Sequence, residues 1–125
     1  MIVGVGTDIL SKERLIRGLD AAFEKRAYTG AEIAQGRRHP VPADYFSANF
    51  SAKEAIFKAL SGCGTDFEPR EIEILGDSRG KPHAALYGGT KAMLEAYLDG
   101  RPYAIHVSMS LEEDTAIAMA VVETT

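Results

Sequence analysis

Apolar and polar positions alternate near both ends of the chain, which is the pattern of strands that bury one face. In the first of these segments, Met1–Thr7, the alternation places Gly4 and Gly6 on the same face as Asp8. We therefore expect a bare groove beside the Asp8 carboxylate. Near the other end, Tyr103–Met109 alternates without interruption and predicts a second half-buried strand.

Helix signals fill the first half of the chain after the opening strand. Ser11 can cap a helix to about Gly18, a second helix covers Ala21–Ala27, and Thr29–Glu32 has the spacing of a capping box for a short third helix. A long helix is predicted from Pro42 through Leu60, with apolar residues on two opposite sides. We expect it to be buried on more than one side, leaving a narrow polar stripe that consists of Ser47, Ser51, Glu54 and Lys58.

The second half alternates between strand and helix signals. Glu71–Leu75 and His83–Tyr87 flank a turn sequence and predict a hairpin, and Thr90–Leu98 has the apolar spacing of an amphipathic helix. Thr115–Val122 pairs back on the strand before it. With three helices counted before the second strand, the predicted order is β-α-α-α-β-β-α-β-β. This indicates an α+β fold with a mainly antiparallel sheet, in one domain over residues 1–125.

Composition places the chain among globular proteins. It has 125 residues, of which 46% are hydrophobic and 26% charged, and this length fits one domain. Its one cysteine, Cys63, has no partner for an internal disulfide, and no long apolar run follows a basic N-terminus. We therefore expect a cytoplasmic protein without a membrane span.

Charge is distributed unevenly along the chain. The formal net charge of −4 argues against general nucleic-acid binding, which depends on a dense basic surface. Residues 12–38 nevertheless carry a net charge of +3, and the rest of the chain carries −7. The basic region could receive an acidic partner, or it could be an ordinary solvated helical surface.

Two acidic residues are the leading candidates for chemistry. Asp8 ends a glycine-bearing strand and Glu54 lies on the buried helix, and Mg²⁺ often takes only one or two protein carboxylates. Two structural alternatives stay open, because Glu54 and Lys58 have the spacing of a common helix pair and an aspartate after a strand is often a cap. Lys53, near several phenylalanines, either extends to the surface or meets an anion.

Other signals in the chain are weak. No cysteine and histidine spacing predicts a zinc site, and Gly4-Val5-Gly6 lacks the third glycine of a dinucleotide fingerprint. His106 and Ser108 share the polar face of the Tyr103–Met109 strand. That face can be simply solvated, or it can bind a ligand.

Four segments taken together resemble one family. They are Val3–Ile9, Phe50–Leu60, Gly80-Lys81-Pro82 and His106–Ser110. Each is modest alone, but their combination across the whole chain resembles the small bacterial holo-acyl-carrier-protein synthases, the short type of 4′-phosphopantetheinyl transferase. The resemblance implies that family's fold.

The resemblance also implies an activity. It is the Mg²⁺-dependent transfer of 4′-phosphopantetheine from coenzyme A to a serine of apo-acyl carrier protein, which releases adenosine 3′,5′-bisphosphate, in fatty-acid biosynthesis. Asp8 and Glu54 match the metal-binding carboxylates of the family, and Lys58 matches the lysine that reaches the phosphates. Glu54 is our choice of proton acceptor for the attacking serine.

The binding residues follow from the same resemblance. The candidates for holding coenzyme A are Lys53, Lys81, Pro82, His106 and Ser108. Arg14 and Arg17 would receive the acidic carrier protein, which accounts for the basic region. The family commonly forms a homotrimer with sites at subunit interfaces, so one chain would hold only part of a site.

Two positions depart from the family pattern. Asn49 stands where many relatives have an arginine, and Leu111 stands where a histidine is frequent. Both changes affect expected phosphate or nucleotide contacts. Two alternatives therefore stay open: a transferase dedicated to a polyketide or multidomain synthase carrier, and a noncatalytic binder of coenzyme A or carrier protein.

Overall fold

The structure, a computed structural model, describes residues 1–125 and has five α-helices and five strands. In chain order these are β1 (Ile2–Ser11), α1 (Lys12–Arg17), α2 (Ala21–Ala27), α3 (Gly30–Arg38), α4 (Pro42–Ala59), β2 (Ile72–Gly76), β3 (Pro82–Leu86), α5 (Gly88–Tyr97), β4 (Tyr103–Glu112) and β5 (Thr115–Thr124). Short 3₁₀ turns occur at Ser61–Cys63 and Pro69–Glu71. None of the helices combines the length and the apolarity that crossing a membrane requires.

The α+β class is confirmed, with two differences in detail. Four helices precede β2, one more than the predicted order counts. The short third helix that the capping box at Thr29 predicts is present and is nine residues long. The strands also form two antiparallel sheets instead of one. The larger has the order β1-β5-β4, and β2 and β3 form a separate hairpin.

The helix starts that the sequence predicts are present. The Ser11 hydroxyl accepts the backbone N–H of Arg14 and begins α1. The Thr29 hydroxyl accepts the N–H of Glu32, and the Glu32 carboxylate accepts the N–H of Thr29. These local caps satisfy N–H groups that the first turn of a helix leaves free.

The glycine face of β1 is where α4 approaches the larger sheet. A Cβ added to Gly4 would lie 1.8 Å from the carbonyl oxygen of Ala59, and one added to Gly6 would lie 1.8 Å from that of Ala55. The expected bare groove beside Asp8 is therefore wrong. The glycines leave no open space, because the helix backbone fills it.

A buried ion pair joins α4 to the elements around the hairpin. Lys53 and Glu32 are both 0% exposed, and the Nζ of Lys53 lies 2.8 Å from a carboxylate oxygen of Glu32. The same ammonium donates to the carbonyl oxygens of Pro69 and Ile72. All three of its protons therefore have acceptors inside the protein.

Glu32 gathers several donors besides this lysine. One carboxylate oxygen also accepts the N–H of Thr29, and the other accepts the side-chain amide of Asn49 at 3.0 Å and the N–H of Ile74 at 2.8 Å. Asn49 donates in addition to the carbonyl oxygen of Ile74. This network ties α3, α4 and β2 together and fixes the hairpin against the long helix.

The close approach at Gly6 predicts a large loss of stability in Gly6→Ala. The added methyl would overlap the Ala55 carbonyl, and the helix would have to move, so we expect the free energy of unfolding to fall by about 3 kcal/mol. Gly30→Ala is the matched control, since a Cβ there has no neighbour within 4 Å. Urea unfolding of both variants measures the difference, and equal effects would contradict the packing argument.

Candidate active site

Asp8 stands at the centre of a polar site between β1 and α4. Its side chain is almost fully buried, and the Ser51 hydroxyl donates to one carboxylate oxygen at 3.0 Å. The Nζ of Lys58 lies 3.3 Å from the other oxygen and 3.1 Å from the carbonyl oxygen of Thr7. Lys58 itself is about half exposed, so its charge is reachable from solvent.

Glu54 lies one helical turn before Lys58 and completes the group. Partial burial raises the pKa of its carboxyl to about 7, helped by a hydrogen bond with Asp8 and by the Asp8 charge, while Lys58 acts in the opposite direction. Burial and the neighbouring Asp8 together thus outweigh the stabilising charge of Lys58. The structure thus brings Asp8, Glu54 and Lys58 together, as the sequence predicts.

This pair of carboxylates fits a hard cation. No cluster of three or more His, Cys, Asp or Glu side chains is present, which is the arrangement expected of a site with many protein ligands. Mg²⁺ commonly takes one or two carboxylates and completes its shell with water and substrate phosphate oxygens. A divalent cation would also offset the burial cost of the Glu54 carboxylate and its repulsion by Asp8, which together raise its pKa.

Lys53 is not in this group. Although it precedes Glu54 in sequence, it points to the opposite side of α4, and its ammonium is fully used by Glu32 and two carbonyl oxygens. The expectation that Lys53 contacts coenzyme A is therefore wrong. Its anion is an internal carboxylate from α3, which the sequence alone does not pair with it.

His106 and Ser108 lie on the other face of the three-stranded sheet. The strand register places Asp8, Ala118 and Met109 in one row across the sheet, and their side chains face α4. Because side chains alternate along a strand, His106 and Ser108 of β4 point away from that helix. His106 is exposed and its Nε2 lies 2.7 Å from a carboxylate oxygen of Glu123. Within one chain, the sheet itself separates these residues from Asp8.

That outer sheet face is largely apolar and has no layer over it. Beside the polar side chains of β4, strands β1 and β5 contribute exposed apolar ones. They include Val5, Ile9, Ile117 and Met119, at 55%, 68%, 44% and 48% exposure. On this face Thr7 of β1 lies beside Met119 of β5, which in turn lies beside Ser108 of β4. An uncovered apolar patch of this kind marks a surface that another molecule covers.

Pro82 lies in a different place, on a cavity of about 680 Å³ between the hairpin, the end of α3, α4 and the end of β4. Asn49 and Leu111 also line this cavity. Lys81 precedes Pro82 on the turn, is exposed, and donates its backbone N–H to Asp77. The turn therefore stands at the cavity without Lys81 forming part of its wall.

The two arginines expected to dock a carrier protein differ from each other. Both are exposed on α1, but Arg17 is paired with Glu13 one turn earlier, whereas Arg14 has no acidic partner. Arg14 is thus the more available positive charge.

Sequence reasoning missed a groove on the α2 side of the long helix. Three aromatic rings, those of Phe23, Phe50 and Phe67, form its apolar part, with ring centroids 5.5 and 5.9 Å apart in successive pairs. Basic side chains from two segments also line it, namely Lys25, Arg26 and Arg70. The basic excess of residues 12–38 was a partial signal, but Arg70 and Phe67 come from a distant loop.

Comparison with known families decides the relationship. The sequence model of the family described as "4'-phosphopantetheinyl transferase superfamily" matches residues 4–120. The chain belongs to this superfamily. Its three site residues on β1 and α4 all fall within the matched region.

Individual members of the superfamily match over nearly the full length. The holo-[acyl-carrier-protein] synthase of Clostridium acetobutylicum is 38% identical, with 98% of each chain covered. That of Wolbachia pipientis is also 38% identical, with the same coverage of both chains.

Solved structures of transferases in this superfamily share the fold. The synthase from Neisseria meningitidis is 36% identical, with a TM-score of 0.82 over 99% of this chain and 100% of that one. A synthase from Bacillus anthracis, solved in complex with CoA (3',5'-ADP), is 28% identical, with a TM-score of 0.77 over 100% and 99% of the two chains.

The raised pKa of Glu54 predicts how the stability of this transferase depends on pH without divalent cations. A carboxyl with a pKa near 7 when folded and 4.5 when unfolded keeps an extra proton in the folded state between those values. The free energy of unfolding should therefore fall as pH rises from about 4.5 to 7. Urea unfolding in EDTA across this range measures the trend.

Glu54→Gln should remove that component of the pH dependence, because glutamine does not titrate. Glu95→Gln on α5 is the control, since Glu95 is exposed and distant from the site. If the Glu54→Gln and unsubstituted proteins lost stability in parallel, the titration of Glu54 would not be the cause.

Proposed function

We propose that this protein transfers 4′-phosphopantetheine from coenzyme A to a serine of apo-acyl carrier protein, with Mg²⁺ as cofactor, in fatty-acid biosynthesis. The observation that carries the proposal is the grouping of Asp8, Glu54 and Lys58 at one reachable site. Membership of the superfamily supplies the reaction type, and the relatives named holo-[acyl-carrier-protein] synthase supply the acceptor.

The reaction makes one bond to phosphorus and breaks another. The serine oxygen of the carrier attacks the phosphorus that bears pantetheine, the pyrophosphate P–O bond breaks, and adenosine 3′,5′-bisphosphate leaves with the electron pair. Glu54 is the proposed acceptor of the serine proton, since it is a carboxylate beside the reacting phosphates, one helical turn from Lys58. Its deprotonated form is available at neutral pH.

Lys58 and Asp8 have complementary parts in this scheme. The half-exposed ammonium of Lys58 can follow the charge that develops on the leaving phosphate, as a mobile cation does well. Asp8 and Glu54 would hold the Mg²⁺, and the hydrogen bond from Ser51 orients the Asp8 carboxylate. The bound cation would neutralise phosphate charge and align the scissile bond.

The coenzyme A contacts would come from two chains. We propose that Lys81 and Pro82 hold the nucleotide end in one protomer and that His106 and Ser108 reach it from a neighbour. Supporting this, His106 and Ser108 lie on the uncovered sheet face, separated from Asp8 by the sheet itself. A homotrimer that covers this face would complete the site, and a sedimentation mass equal to a single 13.5 kDa chain would contradict it.

We further propose a cytoplasmic location. The only cysteine is buried and unpaired, which suits a reducing compartment. Cell fractionation checks this.

The natural carrier can come from fatty-acid synthesis or from a polyketide or multidomain synthase. Competition between those carriers in one assay identifies it.

The decisive experiment is the intact mass of apo-acyl carrier protein after incubation with this protein, coenzyme A and Mg²⁺. We expect a gain of one phosphopantetheine group that EDTA abolishes. Asp8→Asn, Glu54→Gln and Lys58→Met should each slow the transfer by about 100-fold or more, because each removes a group acting on the reacting phosphates.

The controls separate chemistry from folding. The circular dichroism spectra and sedimentation masses of the three variants should match those of the unsubstituted protein. Coenzyme A binding without any transfer to several carriers would instead support the noncatalytic binder, and loss of folding in all three variants would return these residues to structural roles.

Docking of the carrier predicts a difference between two neighbouring arginines. Arg14→Ala should raise the KM for the carrier by several-fold and leave that for coenzyme A unchanged, with the effect shrinking as salt screens the charge. Arg17→Ala should have a smaller effect, because Glu13 already neutralises Arg17. Equal effects of Arg14→Ala on both substrates would overturn the docking role.

A further inference from the structure

One edge of β2 is bonded by side chains instead of by another strand. β2 and β3 form a two-stranded sheet, so the backbone groups of β2 that face away from β3 have no strand partner. In an antiparallel pair these groups belong to alternate residues, which here are Ile72, Ile74 and Gly76. Backbone groups inside a protein need hydrogen-bond partners, so their partners show what positions this edge.

The first two of these residues are held by the buried network around Glu32. The ammonium of Lys53 donates to the carbonyl oxygen of Ile72. Ile74 donates its N–H to Glu32 at 2.8 Å and accepts the side-chain amide of Asn49 at 3.0 Å. These three side chains are all buried, so the interior of the protein fixes this part of the edge.

Gln35 of α3 alone holds the last of these residues, Gly76. Its carboxamide oxygen accepts the N–H of Gly76, and its Nε2 donates to the carbonyl oxygen of Gly76, each at 2.9 Å. The hydroxyl of Tyr45 on α4 donates to the same carboxamide oxygen at 3.1 Å and orients it. The side chain of Gln35 thus takes the place that a residue of a neighbouring strand would have.

Gly76 is also the residue at which the turn of the hairpin begins. It lies opposite Pro82 in the register, and the turn between them is closed by bonds of its own, since Asp77 accepts the N–H of Lys81 on its carboxylate at 3.0 Å. The N–H of Asp77 in turn donates to the carbonyl oxygen of Lys81 at 2.9 Å. No hydrogen bond other than the two from Gln35 joins residues 76–82 to a helix.

We propose that Gln35 is a positioning residue for coenzyme A, because its two hydrogen bonds to Gly76 set where Lys81 and Pro82 stand at the cavity. The proposal rests on the proposed function, which gives the nucleotide end of coenzyme A to those two residues. Without Gln35 the hairpin would still be held at Ile74, but its turn would be free to move relative to α3. Binding would then have to restrict that motion, which costs affinity.

The test combines kinetics with amide hydrogen exchange in Gln35→Met, which keeps the length of the side chain and loses both hydrogen bonds. In the carrier-modification assay the KM for coenzyme A should rise about fivefold or more, while kcat and the KM for the carrier change less than about twofold. The N–H groups of Gly80 and Lys81 keep their acceptors on Asp77. They should nevertheless exchange about tenfold faster relative to the N–H of Ile74, because the turn opens more often.

Two further variants complete the test. Tyr45→Phe removes only the hydrogen bond that orients the carboxamide of Gln35, so both readouts should change in the same direction by a smaller factor. This variant carries the test if Gln35→Met does not fold. Asp20→Ala is the control, because it removes the cap of α2 and lowers stability without touching the hairpin. It should change neither the KM for coenzyme A nor the ratio of the exchange rates.

Gln35 also lines the cavity, so exchange is the readout that distinguishes positioning from direct contact with the ligand. A higher KM for coenzyme A without faster exchange in the turn would show direct contact and overturn the positioning role. Faster exchange with an unchanged KM would overturn it as well, and the transferase activity would stand in both cases.

Failure of the proposed function would be recognised separately. If the unsubstituted protein transfers nothing, calorimetric titration with coenzyme A replaces the KM. Weaker binding by Gln35→Met together with faster exchange in the turn would then support the positioning role. Unchanged binding, or no binding by the unsubstituted protein, would overturn it.

Discussion

The contact between the glycine backbone of β1 and the backbone of α4 determines where Asp8, Glu54 and Lys58 can come together. Gly4 lies over Ala59 and Gly6 over Ala55, with the space for a Cβ taken by carbonyl oxygens of the helix. Two residues of strand advance about 6.6 Å and four residues of helix about 6 Å, so the two elements stay in step along the contact. The next pair in this series is Asp8 and Ser51, which are joined by a hydrogen bond. Asp8 is thus the first functional side chain where the glycines end, and the helix presents Glu54 and Lys58 beside it.

A second constraint holds the opposite side of α4. The ammonium of Lys53 and the carboxylate of Glu32 are buried together, and between them they bind groups from α3, β2 and the turn before β2. A buried pair of this kind contributes little net stability over apolar packing, yet losing one partner leaves a costly buried charge. Its value here is positional, because the cavity beside the hairpin lies between the elements that the pair and Asn49 connect. The adjacent residues Lys53 and Glu54 therefore serve different sites, one inside the protein and one at its surface.

Local signals in the sequence predicted most of the elements, and non-local contacts explain what they missed. Ser11, Thr29 and Pro42 mark helix starts because caps act within four residues, and alternation at Tyr103–Met109 reports which side of a strand is buried. Nothing local shows that the hairpin forms a separate sheet, or that Lys53 meets Glu32, 21 residues earlier. Gly4 and Gly6 were correctly placed on one face, but a glycine face fits either a groove or a close neighbour, and only packing distinguishes them. The grouping of Asp8, Glu54 and Lys58 could be predicted because the family resemblance assigns all three to one site, whereas their spacing in the sequence does not bring Asp8 to the helix.

The electrostatics of the site bear on which of the possible functions it serves. Burial of Glu54 beside Asp8 raises its pKa to about 7 and works against the folded state at neutral pH, and one half-exposed lysine offsets this only in part. A protein that merely binds coenzyme A gains nothing from this arrangement, because carboxylates repel the phosphates it must hold. The arrangement becomes useful when a divalent cation lies between the carboxylates and the phosphates, since the cation then reverses the sign of the interaction. A cation held by Asp8 and Glu54 beside a pyrophosphate would thus turn an unfavourable arrangement into a favourable one, and this favours the transferase over the noncatalytic binder.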